Sequence, residues 1–157
     1  MIGIAELAVS RAPDTLTTLG LGSCVGVALY DAAHRIGGLA HIMLPCAPSA
    51  CPTEYHAKYA DTAIHELLQR LMLLGADLRS LTAKLAGGAH MFASLGKSDY
   101  LQIGQKNLLA CYELLAEHSI AVVAEETGGT VGRTVVFDCQ SGQMLVRTAM
   151  PKAEFII

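Results

Sequence analysis

Two apolar runs separated by a short polar break dominate the hydrophobic pattern of the first third of the chain. Residues 24–30 and 36–44 are mostly aliphatic or small, and residues 31–35 between them include an aspartate, a histidine and an arginine. Apolar runs of this length around a polar break are typical of two paired strands. The pattern therefore predicts a β-hairpin over residues 24–44.

The register of this hairpin decides which side chains meet. If Tyr30 pairs with Arg35 around a four-residue loop, Cys24 lies opposite His41. Directly opposed residues on antiparallel strands share a face, with Cβ atoms about 5 Å apart. A thiol beside an imidazole can form an activated nucleophile. Cysteine is also often a small buried hydrophobe, and a histidine in an apolar run can be a core residue, so the pattern alone leaves both interpretations open.

The rest of the chain combines strand patterns with two helical patterns. Strands are predicted over residues 2–10, 15–19, 81–86, 120–125, 133–137 and 143–148, and helices from Thr53 or Thr62 to Leu74 and from Ile103 to His118. This mixed order indicates an α/β protein with mixed or antiparallel, sandwich-like sheets flanked by two main helices. At 157 residues, with no linker or internal repeat, we expect a single domain over residues 1–157.

Each predicted helix carries an apolar stripe that we expect to face the core. The stripe of the first helix comprises Ala60, Ile64, Leu67, Leu68, Leu71 and Met72, and that of the second comprises Leu108, Leu109, Cys111, Tyr112 and Leu115. Gly75 stands where a C-terminal cap of the first helix belongs.

Composition and charge exclude several classes of function. The net charge is −3, aromatic residues are 5% and there is no Trp, so neither nucleic acid nor an anionic membrane surface is an expected partner. Charged residues are only 16%, which favours burial against a protein partner. We see no signal peptide, and the longest uncharged run, residues 15–30, is shorter than the roughly 20 apolar residues of a spanning helix. We therefore expect a soluble, cytoplasmic protein that is not embedded in a membrane.

Five irregularly spaced cysteines are not a secreted disulfide framework, and we expect reduced thiols. Cys46 and Cys51, with His56, could suggest a metal site. Zinc motifs usually pair cysteines two to four residues apart with a second pair further on, and no fourth ligand is evident. Ordinary loop thiols or a Cys46–Cys51 disulfide are the alternatives, and we predict no metal site.

Longer segments of the sequence are similar to one known family. The decapeptide TLGLGSCVGV at residues 18–27 is followed by GGLAHIMLP at residues 37–45. Further matching segments are KYAD at 58–61, KLAGGA at 84–89, Ile103-Gly104 with Asn107, and residues 128–138 from Gly128-Gly129 through Gly132-Arg133 to Phe137-Asp138. In this order and over nearly the whole chain, they resemble the chemoreceptor glutamine deamidase family, CheD.

The resemblance implies roles for three side chains. It makes Cys24 the nucleophile, His41 the proton shuttle and Thr18 the group that orients the imidazole. Backbone N–H groups around Ser23 and Cys24 are the expected oxyanion donors, because Gly22 and Gly26 let the chain bend there. His90, beside a second glycine pair, is another candidate imidazole, but the family motif places the catalytic histidine at His41.

The resemblance also implies a substrate and partners. The substrate would be selected glutamines on cytoplasmic helices of methyl-accepting chemotaxis receptors, converted to glutamates. A CheC-type phosphatase of the response regulator would be a second partner, and no cofactor is expected. Two alternatives remain: a non-catalytic adaptor that binds receptors or the phosphatase, and a small-molecule amidase or esterase with the same thiol chemistry.

Overall fold

A computed structural model describes residues 1–49, 56–91, 102–148 and 150–157. The helices are α1 (Ala60–Leu74) and α2 (Ile103–Glu117). The strands are β1 (Leu7–Arg11), β2 (Thr15–Leu21), β3 (Val25–Asp31), β4 (Ile36–Ile42), β5 (Thr82–Gly87), β6 (Ala121–Thr127), β7 (Arg133–Asp138), β8 (Met144–Thr148) and β9 (Ala153–Ile156).

Within the described residues the strands form two sheets. The first has the order β1-β4-β3-β5-β6 and is antiparallel except for the β5–β6 pair, and the second has the antiparallel order β2-β7-β8-β9. The predicted fold class, mixed and antiparallel sheets with two main helices, is confirmed. Two details differ from the prediction, because β9 was not anticipated and β1 begins at Leu7, with Ile2 making a separate bridge to Thr18.

The central strands β3 and β4 are buried on both faces. One face of β3, including Val27 and Leu29, packs with Leu67 and Leu71 of α1. The opposite face, including Ala28, packs in the cluster that surrounds the second sheet. Strands covered on both sides have no polar face to alternate with the apolar one. This explains why residues 24–30 and 36–44 are continuous apolar runs.

The hairpin forms as predicted, but its predicted register is wrong by two residues. Asp31 pairs with Ile36, and His41 therefore lies opposite Gly26 rather than Cys24. The shift leaves every side chain on the face that the prediction gave it, because the side-chain period of a strand is two.

Asp31 accounts for the observed register. Its buried carboxylate accepts hydrogen bonds from the N–H groups of Ala33 and His34 in the loop, and from Asp77 N–H at 2.7 Å. Burial alone would raise the pKa of Asp31, but the hydrogen bonds from Asp77 and His34 outweigh it and lower that pKa. The four-residue loop therefore follows Asp31, which fixes its last paired residue.

Helix α1 largely matches its prediction. It begins at Ala60, two residues before Thr62, while Thr53 lies outside the described residues. It ends at Gly75, which adopts the left-handed conformation (φ 101°) that favours glycine at a C-terminal cap. The predicted stripe is buried except for Met72, which is 54% exposed.

Helix α2 confirms most of its predicted stripe, because Cys111 and Leu115 are buried and Leu108 and Tyr112 pack partly buried against the core. Its buried residues are Gly104, Asn107, Cys111 and Leu115, whereas Leu109 is 52% exposed. A glycine and an asparagine thus take positions on the inner face, where an apolar pattern does not reveal them. Among the described residues, neither helix has the length and apolar character needed to cross a bilayer.

Candidate active site

Thr18 and His41 form a buried hydrogen-bonded pair between the two sheets. Thr18 Oγ1 lies 2.7 Å from His41 Nδ1 and 2.9 Å from the carbonyl oxygen of Ile2. The hydroxyl has one proton, and the Ile2 carbonyl can only accept, so Thr18 donates to Ile2 and accepts from His41 Nδ1–H. The neutral imidazole is thereby fixed as the Nδ1–H tautomer, with its lone pair on Nε2.

The N-terminal segment, residues 2–6, holds this pair together. Ile2 N–H donates to Thr17 O at 2.8 Å, which places the Ile2 carbonyl beside Thr18. The same segment brackets His41, whose N–H donates to Glu6 O at 2.9 Å and whose carbonyl accepts from Ala5 N–H at 3.1 Å. These backbone bonds fix the strands that carry both side chains.

Cys24 lies immediately before β3 and is partly buried. By the strand register it is on the same face of the sheet as the His41 side chain. The residue opposite His41 is Gly26, so Cys24 is its diagonal neighbour on the same face. Diagonal neighbours on paired strands are about 7–8 Å apart, and their Cβ atoms are somewhat closer. No described atom hydrogen bonds to His41 Nε2, which is buried and unpartnered. The register therefore puts Cys24 diagonal to His41, one position beyond the last ladder pair, while Thr18 is hydrogen bonded to His41 and the imidazole nitrogen without a described partner is Nε2.

A second glycine-rich turn holds the Gly20–Cys24 loop in place. Gly88 N–H donates to Cys24 O and Ala89 N–H donates to Gly22 O, both at 2.8 Å. Gly87, with φ at 100°, packs so closely against Cys24 O that a side chain would not fit. The segment KLAGGA at residues 84–89, which ends a predicted strand and resembles the family, is thus the support of the cysteine loop.

The expected oxyanion donors differ in their availability. Gly22 N–H donates to Gly20 O at 3.0 Å. Outside the strand ladders, the N–H groups of Ser23 and Cys24 donate to no other described residue. Gly22 therefore shapes the bend, and the candidate donors are the N–H of Ser23 and that of Cys24, which also bonds the thiol of its own residue.

Burial sets the protonation states of the pair. It raises the pKa of the Cys24 thiol, an effect only partly offset by the hydrogen bond from the residue's own N–H. Burial also lowers the pKa of His41. Near pH 7 both groups are consequently neutral, so the thiol retains its proton until the imidazole accepts it. This arrangement suits general-base activation of the thiol rather than a preformed thiolate–imidazolium pair.

The other candidates from the sequence are His90 and the group of Cys46, Cys51 and His56. His90 N–H donates to Gly129 O at 2.8 Å, and no hydrogen bond joins its ring to any described residue through Nε2. Cys46 is exposed, His56 lies 3.7 Å from a Glu66 oxygen, and Cys51 lies outside the described residues. Over the described ranges, no cluster of three or more His, Cys, Asp or Glu side chains could hold a metal ion.

Sequence reasoning missed two parts of this region. The Ile2 carbonyl has no signature, because any residue supplies a carbonyl and only the fold brings it to Thr18. Asn107 donates from Nδ2 to Ser23 O at 2.9 Å and to Met43 O at 3.0 Å. A polar residue on the apolar face of α2 was the available signal.

Comparison with known proteins places this chain in a family. Residues 43–148 match the family model described as CheD chemotactic sensory transduction. The chain is 51% identical over 148 residues to a probable chemoreceptor glutamine deamidase CheD of Moorella thermoacetica, covering 94% of this chain and 89% of the relative. It is 46% identical over 148 residues to the chemoreceptor glutamine deamidase CheD of Halalkalibacterium halodurans, with 94% and 91% covered.

A third relative, a probable chemoreceptor glutamine deamidase CheD of Lachnoclostridium phytofermentans, is 44% identical over 147 residues, covering 94% of this chain and 91% of its own. The chain therefore belongs to the CheD family. The family model begins after His41, but a match over 147 of 157 residues reaches well into the first strands. The resemblance inferred from the sequence is confirmed.

Proposed function

We propose that this chain is a protein-glutamine deamidase that hydrolyses glutamine side chains of chemoreceptors to glutamates. Cys24 is the nucleophile, His41 the general acid and base, and Thr18 the residue that orients His41. The observation that carries the proposal is the bare, buried Nε2 of His41, which the Thr18–Ile2 hydrogen bonds leave as the only basic atom of the ring. The names of the relatives supply the substrate class.

The proposed reaction has two halves. The Cys24 sulfur adds to the carboxamide carbon while His41 Nε2 takes the thiol proton. His41 then gives that proton to the departing nitrogen, the C–N bond breaks, and ammonia leaves a thioester. Water attacks the thioester with His41 as base, the C–S bond breaks, and the sulfur recovers its proton. One water is consumed, and the amide becomes a carboxylate and ammonia.

Two backbone groups fit the developing negative charge. Outside the strand ladders the N–H groups of Ser23 and Cys24 donate to no carbonyl of another described residue, and they belong to or adjoin the nucleophile. Donors held in place before the reaction stabilise an oxyanion without having to reorganise. We assign them as the oxyanion site, with Gly22 providing the bend.

The proposal also includes the extent of the domain, its cellular location and its partners. We propose one deamidase domain over residues 1–157, working in the cytoplasm on the cytoplasmic part of the receptors and without a cofactor. Family membership supports a CheC-type phosphatase as a second protein partner. The low content of charged residues, 16% of the sequence, is compatible with contacts to both proteins.

The test is mass spectrometry of a chemoreceptor cytoplasmic fragment incubated with the protein. We expect selected glutamines to become glutamates and ammonia to be released in equal amount. A fragment that binds but is not converted would favour the adaptor. No binding and no conversion, with hydrolysis of small amides or esters, would favour a small-molecule amidase or esterase.

The pH dependence follows from the two pKa shifts. His41 must be neutral to act as base, and its pKa is lowered, so kcat/KM should fall on acidification only below about pH 6.5, the ordinary histidine value.

Alkylation of Cys24 by iodoacetamide should become faster as the pH rises, with a midpoint above about 8.5, the ordinary thiol value. Peptide mass spectrometry measures this rate, with exposed Cys46 as reference in the same digest. A Cys24 midpoint below 7 would indicate a preformed thiolate and contradict the neutral pair.

A further inference from the structure

Asn107 is a fully buried polar side chain on the inner face of α2. Its Nδ2 donates one hydrogen to Ser23 O at 2.9 Å and the other to Met43 O at 3.0 Å. Both partners are carbonyls, which only accept, so the orientation of the amide is determined. Its Oδ1 is buried without a partner. An apolar side chain would avoid that cost, so the feature specific to asparagine at this position is its pair of donors.

The two carbonyls flank the proposed site at the open end of the β3–β4 hairpin. Val25 and Ile42 form the last pair of the ladder, so the register would next place Cys24 beside Met43. The strands part there, because Met43 N–H turns away and donates to Lys58 O at 3.0 Å. The Asn107 amide bridges the two chains at this point, where direct strand pairing ends.

Helix α2 also supports the cysteine loop by a second contact. Gly104, one turn before Asn107, packs directly on the turn that follows β5. A Cβ added at Gly104 would lie 2.7 Å from both Gly88 O and Ala89 O, so the helix approaches backbone to backbone. The N–H groups of Gly88 and Ala89 are the donors that hold Cys24 O and Gly22 O.

We infer that Asn107 is a positioning residue that sets the placement of Cys24 relative to His41. The inference rests on the proposed Cys24–His41 function and assigns Asn107 no contact with the substrate. Both of its amide hydrogens are already used, so it does not serve as an oxyanion donor. Its effect is geometric, since a displacement of about 1 Å in a catalytic group can cost about 10²-fold in rate.

The test compares Asn107→Ala with Cys111→Ala, a buried substitution one turn further along the same face of α2. For Asn107→Ala we expect kcat to fall about 10- to 100-fold with KM little changed. Iodoacetamide should alkylate its Cys24 faster at pH 7, because release of the loop reduces the burial that raises the thiol pKa. Cys111→Ala should keep the wild-type kcat and the wild-type Cys24 alkylation rate.

Two buried thiols distinguish a local effect from unfolding. Cys111 and Cys139 are fully buried, and they should stay unmodified in Asn107→Ala while Cys24 reacts faster. A wild-type kcat and Cys24 rate in Asn107→Ala would overturn the inference. So would alkylation of Cys111 and Cys139 in step with Cys24, because it would show a general role in stability.

A milder variant covers the case in which Asn107→Ala does not fold. Asn107→Ser keeps a hydroxyl donor, and we expect it to lose less kcat than Asn107→Ala. Its Cys24 should still be alkylated faster than that of the wild type. A folded Asn107→Ser with wild-type values of both would overturn the inference. The alkylation measurement needs no substrate, so it tests the placement of Cys24 even if the wild-type protein deamidates no receptor, which would be a failure of the proposed function alone.

Discussion

Cys24→Ala is expected to lower receptor deamidation on the order of 10⁴-fold or more, because no other group can form the thioester. The fold should survive, since Cys24 is only partly buried and its backbone bonds to Gly88 do not involve the side chain. The rate of glutamate formation, measured by mass spectrometry beside the melting temperature, tests both statements. Cys46→Ala, the same substitution at an exposed thiol, should keep the wild-type rate.

A second substitution separates the chemistry of Cys24 from its shape. Cys24→Ser keeps a side chain of similar size, but a hydroxyl is a far weaker nucleophile than a thiol, so the rate should fall nearly as far as in Cys24→Ala. In the wild type, acid quenching during turnover should trap the receptor fragment joined to Cys24 as a thioester. Near-wild-type turnover in Cys24→Ala would remove Cys24 as the nucleophile, whatever the quenching experiment shows.

The sequence reveals the hairpin because β3 and β4 are covered on both faces and contain few polar residues. It does not reveal the register, which depends on the Asp31 carboxylate accepting from the loop N–H groups of Ala33 and His34 and from the N–H of Asp77 in a distant segment. Hydrophobic periodicity places residues on a face but cannot place a hydrogen bond between segments far apart in the chain. The face of each side chain was therefore predictable, while the residue opposite His41 was not.

Helix α2 shows a second limit of prediction from the hydrophobic pattern. Spacing of apolar residues placed Leu109 inside, whereas the observed face is centred on Asn107 and Cys111. A pattern that counts only apolar residues cannot recognise a glycine needed for close backbone contact or an asparagine that bridges two carbonyls. Both residues occur in the segments that resemble the CheD family, so family resemblance marked positions whose physical role only the fold explains.

The proposed site combines parts of both sheets. Thr18 belongs to β2 of the second sheet, His41 belongs to β4 of the first, and Cys24 immediately precedes β3 of the first. The N-terminal segment, residues 2–6, bonds to both. The hydrogen bond from His41 to Thr18 thus forms only when the sheets are packed together, which links the orientation of the imidazole to the integrity of the whole fold.

His41→Ala should lower kcat by about 10²–10⁴-fold, the usual contribution of a general acid–base group. Thr18→Val should cost less than His41→Ala, because the imidazole remains and only its orientation and tautomer are released. Thr18→Ser, which keeps the hydroxyl to donate to Ile2 O and accept from His41 Nδ1–H, is the matched control and should stay within a few-fold of wild type. Single-turnover deamidation of the receptor fragment measures all three.

The order of these effects is the decisive result. A hydroxyl cannot stabilise an imidazolium as a carboxylate does, so its contribution lies in holding Nδ1–H toward Thr18 and leaving the Nε2 lone pair for the proposed nucleophile. If Thr18→Val cost more than His41→Ala, Thr18 would have a function beyond orientation, and the tautomer argument would lose its support. If Thr18→Ser were as impaired as Thr18→Val, the β-branched shape of Thr18 rather than its hydrogen bonds would explain its place beside His41.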